Sequence, residues 1–332
     1  MKHDKTKVIT NLIVKAAEKA RRETSSEPEP DLTGNRLSWP VECTVGPGLE
    51  GAIAAETKVG YVNGSKGWLV YRGYDIFDLC AHSTFEEVSF LLLHGNLPTQ
   101  SELTEYKDKL STYRFLPKTL RLLMGFPVQE MNGMGALRMG TNLMRQHQTY
   151  RDLEGHRPPA TTAIGSDEDS IPMETLPRGE RHAIYEFKDR NVNRPRPRKA
   201  AKDLEEARGI ESCYHLIAGM GTLTAAIMRL RNGYLPIEPD PELSHAANLL
   251  YMMTGRRPTP FEERVMDVSL ILHADHGMNA STFAAMVVAS TLSDIYFSMG
   301  AGVGALNGQL HGGANEQVLK LLQEIGSPDD VQ

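Results

Sequence analysis

Cysteine is scarce in this chain, whose 332 residues include only Cys43, Cys80 and Cys213. An odd number of widely spaced cysteines fits neither a disulfide framework nor a zinc cluster, and is typical of reduced cytoplasmic thiols. Positive charge is not in excess either, because the formal net charge is −6. A chain with this balance has no general attraction to nucleic acid or to acidic lipid, so we expect neither as a partner.

Long hydrophobic runs are also missing. The longest stretch without an acidic or basic residue is 295–315, which contains six glycines. A membrane-spanning helix needs roughly 20 mostly apolar residues, and this stretch is too polar to be one. Near the N-terminus, the apolar run 11–17 is too short for a secretory signal. These features predict a cytoplasmic protein.

The remaining composition is that of an ordinary globular protein, with 40% hydrophobic and 23% charged residues. It excludes a disordered chain, a collagen and a simple coiled coil. The length allows two ordinary domains or one large one.

The spacing of apolar residues predicts an all-α protein with a small N-terminal β-hairpin. Residues 1–40 are predicted to be an appended helix (5–24) and a linker that begins at the Pro-containing segment 25–30. The hairpin is predicted at 57–62 and 67–72, with Asn63-Gly64 in the turn. Further helices are predicted at 86–94, 103–113, 118–124, 132–148, 210–231, 243–253, 261–272, 280–299 and 316–325.

Residues 154–208 differ from the rest of the chain and are predicted to be an insertion. They contain six prolines and the basic run 190–202. That run has two interpretations, an RNA or phosphate contact and a solvated loop. Segment 154–210 holds eleven acidic and eleven basic side chains, which favours the loop.

A polar segment, His273-Ala274-Asp275-His276-Gly277-Met278-Asn279, separates two predicted helices. The N-terminus of the second helix offers free N–H groups and a positive dipole end, which stabilise a carboxylate. Two alternatives stay open. Asn279 can be a simple helix N-cap. His273, Asp275 and His276 can also be read as ligands for Zn, Mn or Fe, although the sequence offers no second ligand cluster.

His311 lies in Leu310-His311-Gly312-Gly313, just before another predicted helix. The glycines let the backbone approach a ligand closely, and a positive helix end favours a neutral imidazole. A neutral imidazole can polarise a carbonyl or stabilise an enol by hydrogen bonding. A packed histidine beside a glycine hinge is the alternative, and spacing alone does not decide. The nearby segment 300–304 looks like a dinucleotide-binding loop but lacks the strand before it, so we predict close helix packing there.

Together these segments resemble the citrate synthase family of bacterial type, which includes the 2-methylcitrate synthases. The resemblance covers residues 45–326 apart from the insertion and is carried by 48–51, 54–57, 71–76, 85–88, 94–98, 231–233, 239–248, 272–282 and 310–316. It implies a mostly helical homodimer with a large domain, here 41–310, and a small domain that starts within 311–332. The implied reaction condenses acetyl-CoA with oxaloacetate to give citrate and CoA, in the tricarboxylic acid cycle, with no metal or prosthetic group.

The resemblance also implies roles for individual residues. His311 matches the catalytic histidine that hydrogen-bonds the acetyl-CoA carbonyl oxygen and stabilises the enol. His276 matches a histidine that binds oxaloacetate, and Asn279 matches an asparagine at the same site. His273 is a candidate for supporting these side chains from the same segment.

The family's remaining catalytic residues follow the Leu-His-Gly motif: a histidine in a Gly-x-Gly-His segment and an aspartate that removes the acetyl methyl proton. Here only 312–332 follows, and no Gly-x-Gly-His occurs. We therefore expect that this chain alone does not make citrate, and that further sequence or a complementing C-terminal chain supplies the rest. The alternatives are a 2-methylcitrate synthase using propionyl-CoA, a non-catalytic subunit of a split enzyme, and a His/Asp metallohydrolase.

Overall fold

The computed structural model describes residues 5–24, 44–46, 54–64, 67–152 and 201–327. Within these ranges the protein has twelve α-helices and one three-stranded sheet, so the all-α expectation with a small hairpin is confirmed. The strands are β1 Gly60–Asn63, β2 Trp68–Tyr71 and β3 Tyr74–Asp75. The helices are α1 Lys5–Thr24, α2 Ile76–His82, α3 Phe85–His94, α4 Gln100–Tyr113, α5 Pro117–Met124, α6 Gly133–Asp152, α7 Ala201–Arg231, α8 His245–Thr254, α9 Pro260–Leu272, α10 Ala280–Ser290, α11 Ile295–Leu306 and α12 Gly313–Ile325.

The predicted hairpin is formed by β1 and β2, which pair antiparallel with Gly60 opposite Tyr71. The sequence analysis missed β3, which pairs antiparallel with β2 after a tight turn at Arg72 and Gly73. Both turn residues have positive φ, +49° and +90°. The guanidinium of Arg72 donates two hydrogen bonds to the Leu92 carbonyl, at 2.8 and 3.3 Å, and so ties the hairpin to the end of α3.

Three helices, α3, α4 and α9, begin with the same local device, a capping box. A threonine side chain accepts the N–H of the residue three positions later, and the glutamate there accepts the threonine's own N–H. The pairs are Thr84–Glu87, Thr99–Glu102 and Thr259–Glu262. Each box satisfies N–H groups that a helix start leaves without an intrahelical partner, so these starts are encoded locally.

Segment 280–299 was predicted as one helix, and this was wrong. The structure divides it into α10 and α11, because the chain turns at Leu292, whose φ is +62°. The Asp294 carboxylate then caps α11 by accepting the N–H groups of Tyr296 and Phe297. Apolar residues continue through the break, so periodicity alone hides it.

Two further boundaries differ from the prediction. Helix α2 was not predicted, since its seven residues are too few for a clear periodic pattern. Helix α7 begins at Ala201 rather than at residue 210, so the last residues of the predicted insertion 154–208 are helical. Residues 154–200 of that insertion and residues 25–40 of the predicted linker lie outside the described residues.

Among the described residues, the apolar core has three clusters, one of which joins the hairpin to the helices. The largest packs α5, α6, α7 and α11 around Leu123, Met144 and Leu223. A second packs the hairpin, α2, α3 and α9 around Tyr71, Leu91 and Ile271. A third links α3, α4 and α7 through aromatic side chains. Helix α1 packs on α2 and α9, and its Ile13 adds to the second cluster.

A buried polar group connects α3, α4 and α8. Both side chains of the pair Glu86 and Arg114 are buried, with 4.0 Å between Oε1 and Nη2. The same Glu86 oxygen accepts the His245 N–H at 2.8 Å. Burial, followed by the positive charge of Arg114, lowers the pKa of His245 to about 3. His245 is therefore neutral in the folded protein.

Other expectations bear on the cysteines and the membrane. Cys80 and Cys213 are free thiols, and Cys43 lies outside the described residues. Among the helices of the described ranges, none combines the length and apolarity that crossing a bilayer requires.

Candidate active site

The polar segment 273–279 forms the joint between α9 and α10, as the sequence predicted. Asn279 is the N-cap of α10, and its side-chain oxygen accepts the Thr282 N–H at 3.0 Å. The N-cap interpretation is therefore correct for that oxygen. The cap uses the carboxamide oxygen only, so the NH₂ group can still donate to a ligand. The N–H groups of the first helical turn add a positive helix end at the same place.

His276 is exposed and lies four residues before α10 begins. Its chain neighbours are held in place: the Asp275 carboxylate accepts the Gly277 N–H at 3.3 Å, and Gly277 adopts a φ of +66°. An exposed imidazole between two fixed residues can meet a ligand without rearrangement of the core.

His273 caps the end of α9. Its Nδ1 atom lies 2.7 Å from the Ser269 carbonyl oxygen, one turn back on α9. Because a carbonyl only accepts, Nδ1 carries the proton in this contact. The structure therefore directs this ring to its own helix, and the support of the site by His273 stays a prediction.

The metal interpretation of the same segment gains no support. In the part of the chain that the structure describes, no three His, Cys, Asp or Glu side chains come together as a group able to hold a metal ion. The separate contacts of His273 with Ser269 and of Asp275 with Gly277 agree with this finding.

His311 lies in the turn between α11 and α12, directly before the N-cap residue Gly312. The predicted position at a helix N-terminus is therefore correct. Glycine is required at 312, because a methyl group there would collide with the Leu306 carbonyl oxygen. The imidazole Nε2 lies 2.8 Å from the hydroxyl of Ser281, the second residue of α10. This contact brings His311 to the end of α10 that also carries Asn279.

Ser281 is a residue of this site that the sequence analysis missed. Its hydroxyl has one proton and two neighbours, His311 Nε2 at 2.8 Å and the Gly302 carbonyl at 2.9 Å. When the proton goes to Gly302, His311 must donate from Nε2. When the proton goes to His311, the neutral ring carries its own proton on Nδ1 and can donate it to a ligand. A serine in the first turn of a helix is common, so no local signal marks Ser281.

The glycines of α11 serve close packing, as predicted. A methyl group on Gly302 would lie 3.2 Å from the Ser281 carbonyl oxygen of α10. A methyl group on Gly300 would collide with the Asn142 side chain of α6. The small residues therefore let α11 approach both helices, and this approach brings the Gly302 carbonyl to Ser281.

The arrangement at the start of α10 can bind an anion beside two imidazoles. His276 and Asn279 come from the loop before the helix, and His311 reaches the same end through Ser281. Such a group can hold a carboxylate and hydrogen-bond a developing enol oxygen.

Comparison with known proteins gives this arrangement a family. The model of the family described as "Citrate synthase, C-terminal domain" matches residues 48–332. The citrate synthase of Haloferax volcanii is 37% identical over 283 residues, which are 85% of this chain and 62% of that protein. The citrate/2-methylcitrate synthase of Bacillus subtilis is 34% identical over 286 residues, 86% of this chain and 63% of that protein.

Solved structures agree. The crystal structure of citrate synthase from Pyrobaculum aerophilum aligns with a TM-score of 0.65 at 34% identity, covering 89% of this chain and 65% of that one. Citrate synthase from Thermoplasma acidophilum, described as a ternary complex with carboxymethyl coenzyme A and oxaloacetate, aligns with a TM-score of 0.62 at 26% identity, covering 83% of this chain and 59% of that one.

The chain spans less than two thirds of the length of these relatives, between 59% and 65%. The three strands, the helices from α2 onward, the joint before α10 and the turn that carries His311 all fall inside the matched residues 48–332. Because the match covers most of the sequence and is supported by both sequence and structure, the chain belongs to the citrate synthase family.

Proposed function

We propose that this chain provides the His276–His311 part of a citrate synthase active site. The observation that carries the proposal is the Ser281–His311 contact, which joins the catalytic candidate to the α10 terminus where a carboxylate is stabilised. In the reaction, acetyl-CoA loses a methyl proton to a base and its enol attacks the ketone carbon of oxaloacetate. Water then cleaves the thioester to give citrate and CoA.

Each residue has a defined part in this proposal. His311 donates from Nδ1 to the thioester carbonyl oxygen in the state in which the Ser281 hydroxyl gives its proton to Nε2 instead of to the Gly302 carbonyl. His276 and the NH₂ group of Asn279 donate to oxaloacetate beside the free N–H groups of α10. We place this chemistry in the cytoplasm, on the charge and cysteine content of the chain.

Oxaloacetate binding tests the proposal directly. We expect the purified chain to bind oxaloacetate in isothermal titration calorimetry, and His276→Ala to raise the dissociation constant by about 10- to 100-fold, because a hydrogen bond to a charged group is lost. His82→Ala is the matched control, since that histidine is exposed at the end of α2, and we expect a change within about twofold. Absence of binding by the unaltered chain, or equal affinity of His276→Ala, would contradict the proposal.

A second acyl donor is the specific alternative. One relative is described as a citrate/2-methylcitrate synthase, and propionyl-CoA differs from acetyl-CoA by one CH₂ group. One such group in an apolar pocket discriminates by only about 1–3 kcal/mol, so both donors are candidates. Measuring kcat/KM for both donors, on a protein that carries the complete catalytic set, separates the two activities.

We also propose that two copies of this chain pair through α10 and α11. No residue of α10 is fully buried, although most of its eleven residues are apolar. Val287 and Phe297 are 49% and 47% exposed, and Leu292 between the two helices is 96% exposed. Exposed apolar side chains grouped on neighbouring helices in this way are typical of an interface between subunits.

Pairing predicts a solution mass of twice 36.8 kDa by analytical ultracentrifugation. Val287→Asp is expected to raise the dimer dissociation constant by at least about 100-fold, because it buries an unpaired charge in each subunit. Val62→Asp, on the exposed side of β1, is the control and should leave the mass unchanged. A monomeric unaltered chain would contradict the pairing.

A complementing C-terminal chain is the last part of the proposal. Val318, Leu321 and Leu322 of α12 are exposed and offer an apolar face to further protein. In the alternative of a non-catalytic subunit of a split enzyme, the partner chain supplies all of the residues that transfer protons. A metallohydrolase is disfavoured by the separate contacts of His273 and Asp275.

A further inference from the structure

Tyr71, the last residue of β2, is fully buried where the hairpin meets the loop before α10. Its hydroxyl oxygen lies 3.0 Å from the Asp275 carbonyl, 3.0 Å from the Ile271 carbonyl and 3.3 Å from the Leu272 carbonyl. It also accepts the Asp275 N–H at 3.2 Å. One hydroxyl therefore lies within hydrogen-bond distance of both backbone polar groups of Asp275 and of two carbonyls in the last turn of α9.

The hydroxyl keeps its proton at neutral pH. Burial raises the pKa of Tyr71 to about 12, and the nearby charge of Asp275 adds to the increase. The group therefore donates its one proton to the carbonyls that surround it and accepts the Asp275 N–H.

Gly60, on the paired strand β1, lies directly against the same aspartate. It pairs with Tyr71 across the hairpin, and a methyl group on Gly60 would collide with the Asp275 carboxylate. That carboxylate accepts the Gly277 N–H at 3.3 Å. Asp275 is thus fixed through its N–H, its carbonyl and its side chain, and His276 is the next residue.

The hairpin that carries Tyr71 is itself fixed by packing and by hydrogen bonds. The ring of Tyr71 packs in the second apolar cluster with Leu79 and Ile271, and the adjacent Arg72 bonds the Leu92 carbonyl of α3. A group anchored in this way transmits its position to the loop, because the packed cluster leaves it little freedom.

We infer that Tyr71 is a positioning residue for the proposed oxaloacetate site: its hydroxyl fixes the main chain of Asp275 and so aims the exposed His276 imidazole at the ligand. Tyr71 itself is buried and does not touch the substrate. The identity of the ligand rests on the proposed function, whereas the fixing of the Asp275 main chain by Tyr71 does not.

The test is Tyr71→Phe, which keeps the buried ring and removes only the hydroxyl. Tyr74→Phe on the neighbouring strand is the matched control, since that side chain is 41% exposed. Losing a buried hydrogen bond is expected to speed amide hydrogen exchange in residues 275–279 by about tenfold, with exchange in α6 and α7 unchanged. The oxaloacetate dissociation constant is expected to rise by about tenfold in the same variant.

A double-mutant cycle separates positioning from general weakening. In a His276→Ala background, Tyr71→Phe is expected to change oxaloacetate affinity by less than about twofold, because the side chain it aims is gone. Gly60→Ala perturbs Asp275 from β1 without entering the buried cluster. It is expected to give the same coupled loss, and it decides the matter if Tyr71→Phe fails to fold.

Equal weakening in both backgrounds overturns the inference, as does loop exchange no faster than in Tyr74→Phe. If the unaltered chain binds no oxaloacetate, the proposed function fails by itself. Hydrogen exchange then still tests whether Tyr71 fixes the loop. Faster exchange limited to residues 275–279 supports the inference, and unchanged exchange overturns it.

Discussion

The 332-residue chain, purified and incubated with acetyl-CoA and oxaloacetate, is expected to release no free CoA thiol above the uncatalysed background. Enol formation beside a thioester needs a positioned base, and His311 in the proposed geometry is a hydrogen-bond donor rather than that base. General acid–base catalysis contributes about 10²- to 10⁴-fold, and members of a catalytic set act as a unit, so the loss is at least of that order. Thiol release is followed with a chromogenic disulfide reagent.

Two comparisons make this result informative. His311→Ala should lower the rate no further, because a chain without turnover has no activity for the substitution to remove. Oxaloacetate binding by the same preparation shows that the chain is folded when turnover is absent. Turnover at a rate ordinary for enzymes, lost on His311→Ala, would contradict the prediction and show that the chain holds its own base.

Acid is expected to destabilise this protein through His245. The pKa of His245 is about 3 when folded, against about 6.5 when exposed, so the unfolded chain binds the proton more readily. The stabilisation from keeping this ring neutral is complete above pH 6.5 and is lost as pH falls toward 3. Between pH 6.5 and 4 the free energy of unfolding should fall by about 3 kcal/mol from this group.

The surroundings of the ring explain the expected size of the effect. Arg114 at the end of α4 opposes a second positive charge. The nearby Glu86 carboxylate already faces that arginine and accepts the main-chain N–H of His245. The ring lies against Phe85 of α3, at 5.0 Å between ring centroids, which excludes water. Protonation of His245 therefore places a positive charge in a buried site where the nearby carboxylate already faces Arg114.

Urea denaturation at several pH values measures this contribution. His245→Gln is the control, because it removes the titrating group and leaves every other ionisable side chain in place. The difference in free energy of unfolding between the two proteins should shrink by about 3 kcal/mol from pH 6.5 to 4. Parallel curves for the two proteins would show that His245 is protonated in the folded state or is not buried.

The helical class, the hairpin and many helix boundaries were determined by the sequence itself. Their signals are local: apolar spacing, Asn63-Gly64 in a turn, and threonine–glutamate pairs at helix starts. The His311 and Asn279 positions at helix N-termini followed from the same local reasoning. Family motifs then supplied roles that spacing could not.

Tertiary structure alone decided how these pieces meet. The break between α10 and α11 depends on a left-handed Leu292 and an Asp294 cap inside an unbroken apolar pattern. The contacts of Ser281 with His311, and of Tyr71 with Asp275, join residues 30 and 204 positions apart. Such contacts arise from helix packing and strand pairing, whose free energy depends on the whole fold rather than on neighbouring residues. The sequence therefore determined which residues could act, and the packing decided which ones hold them in place.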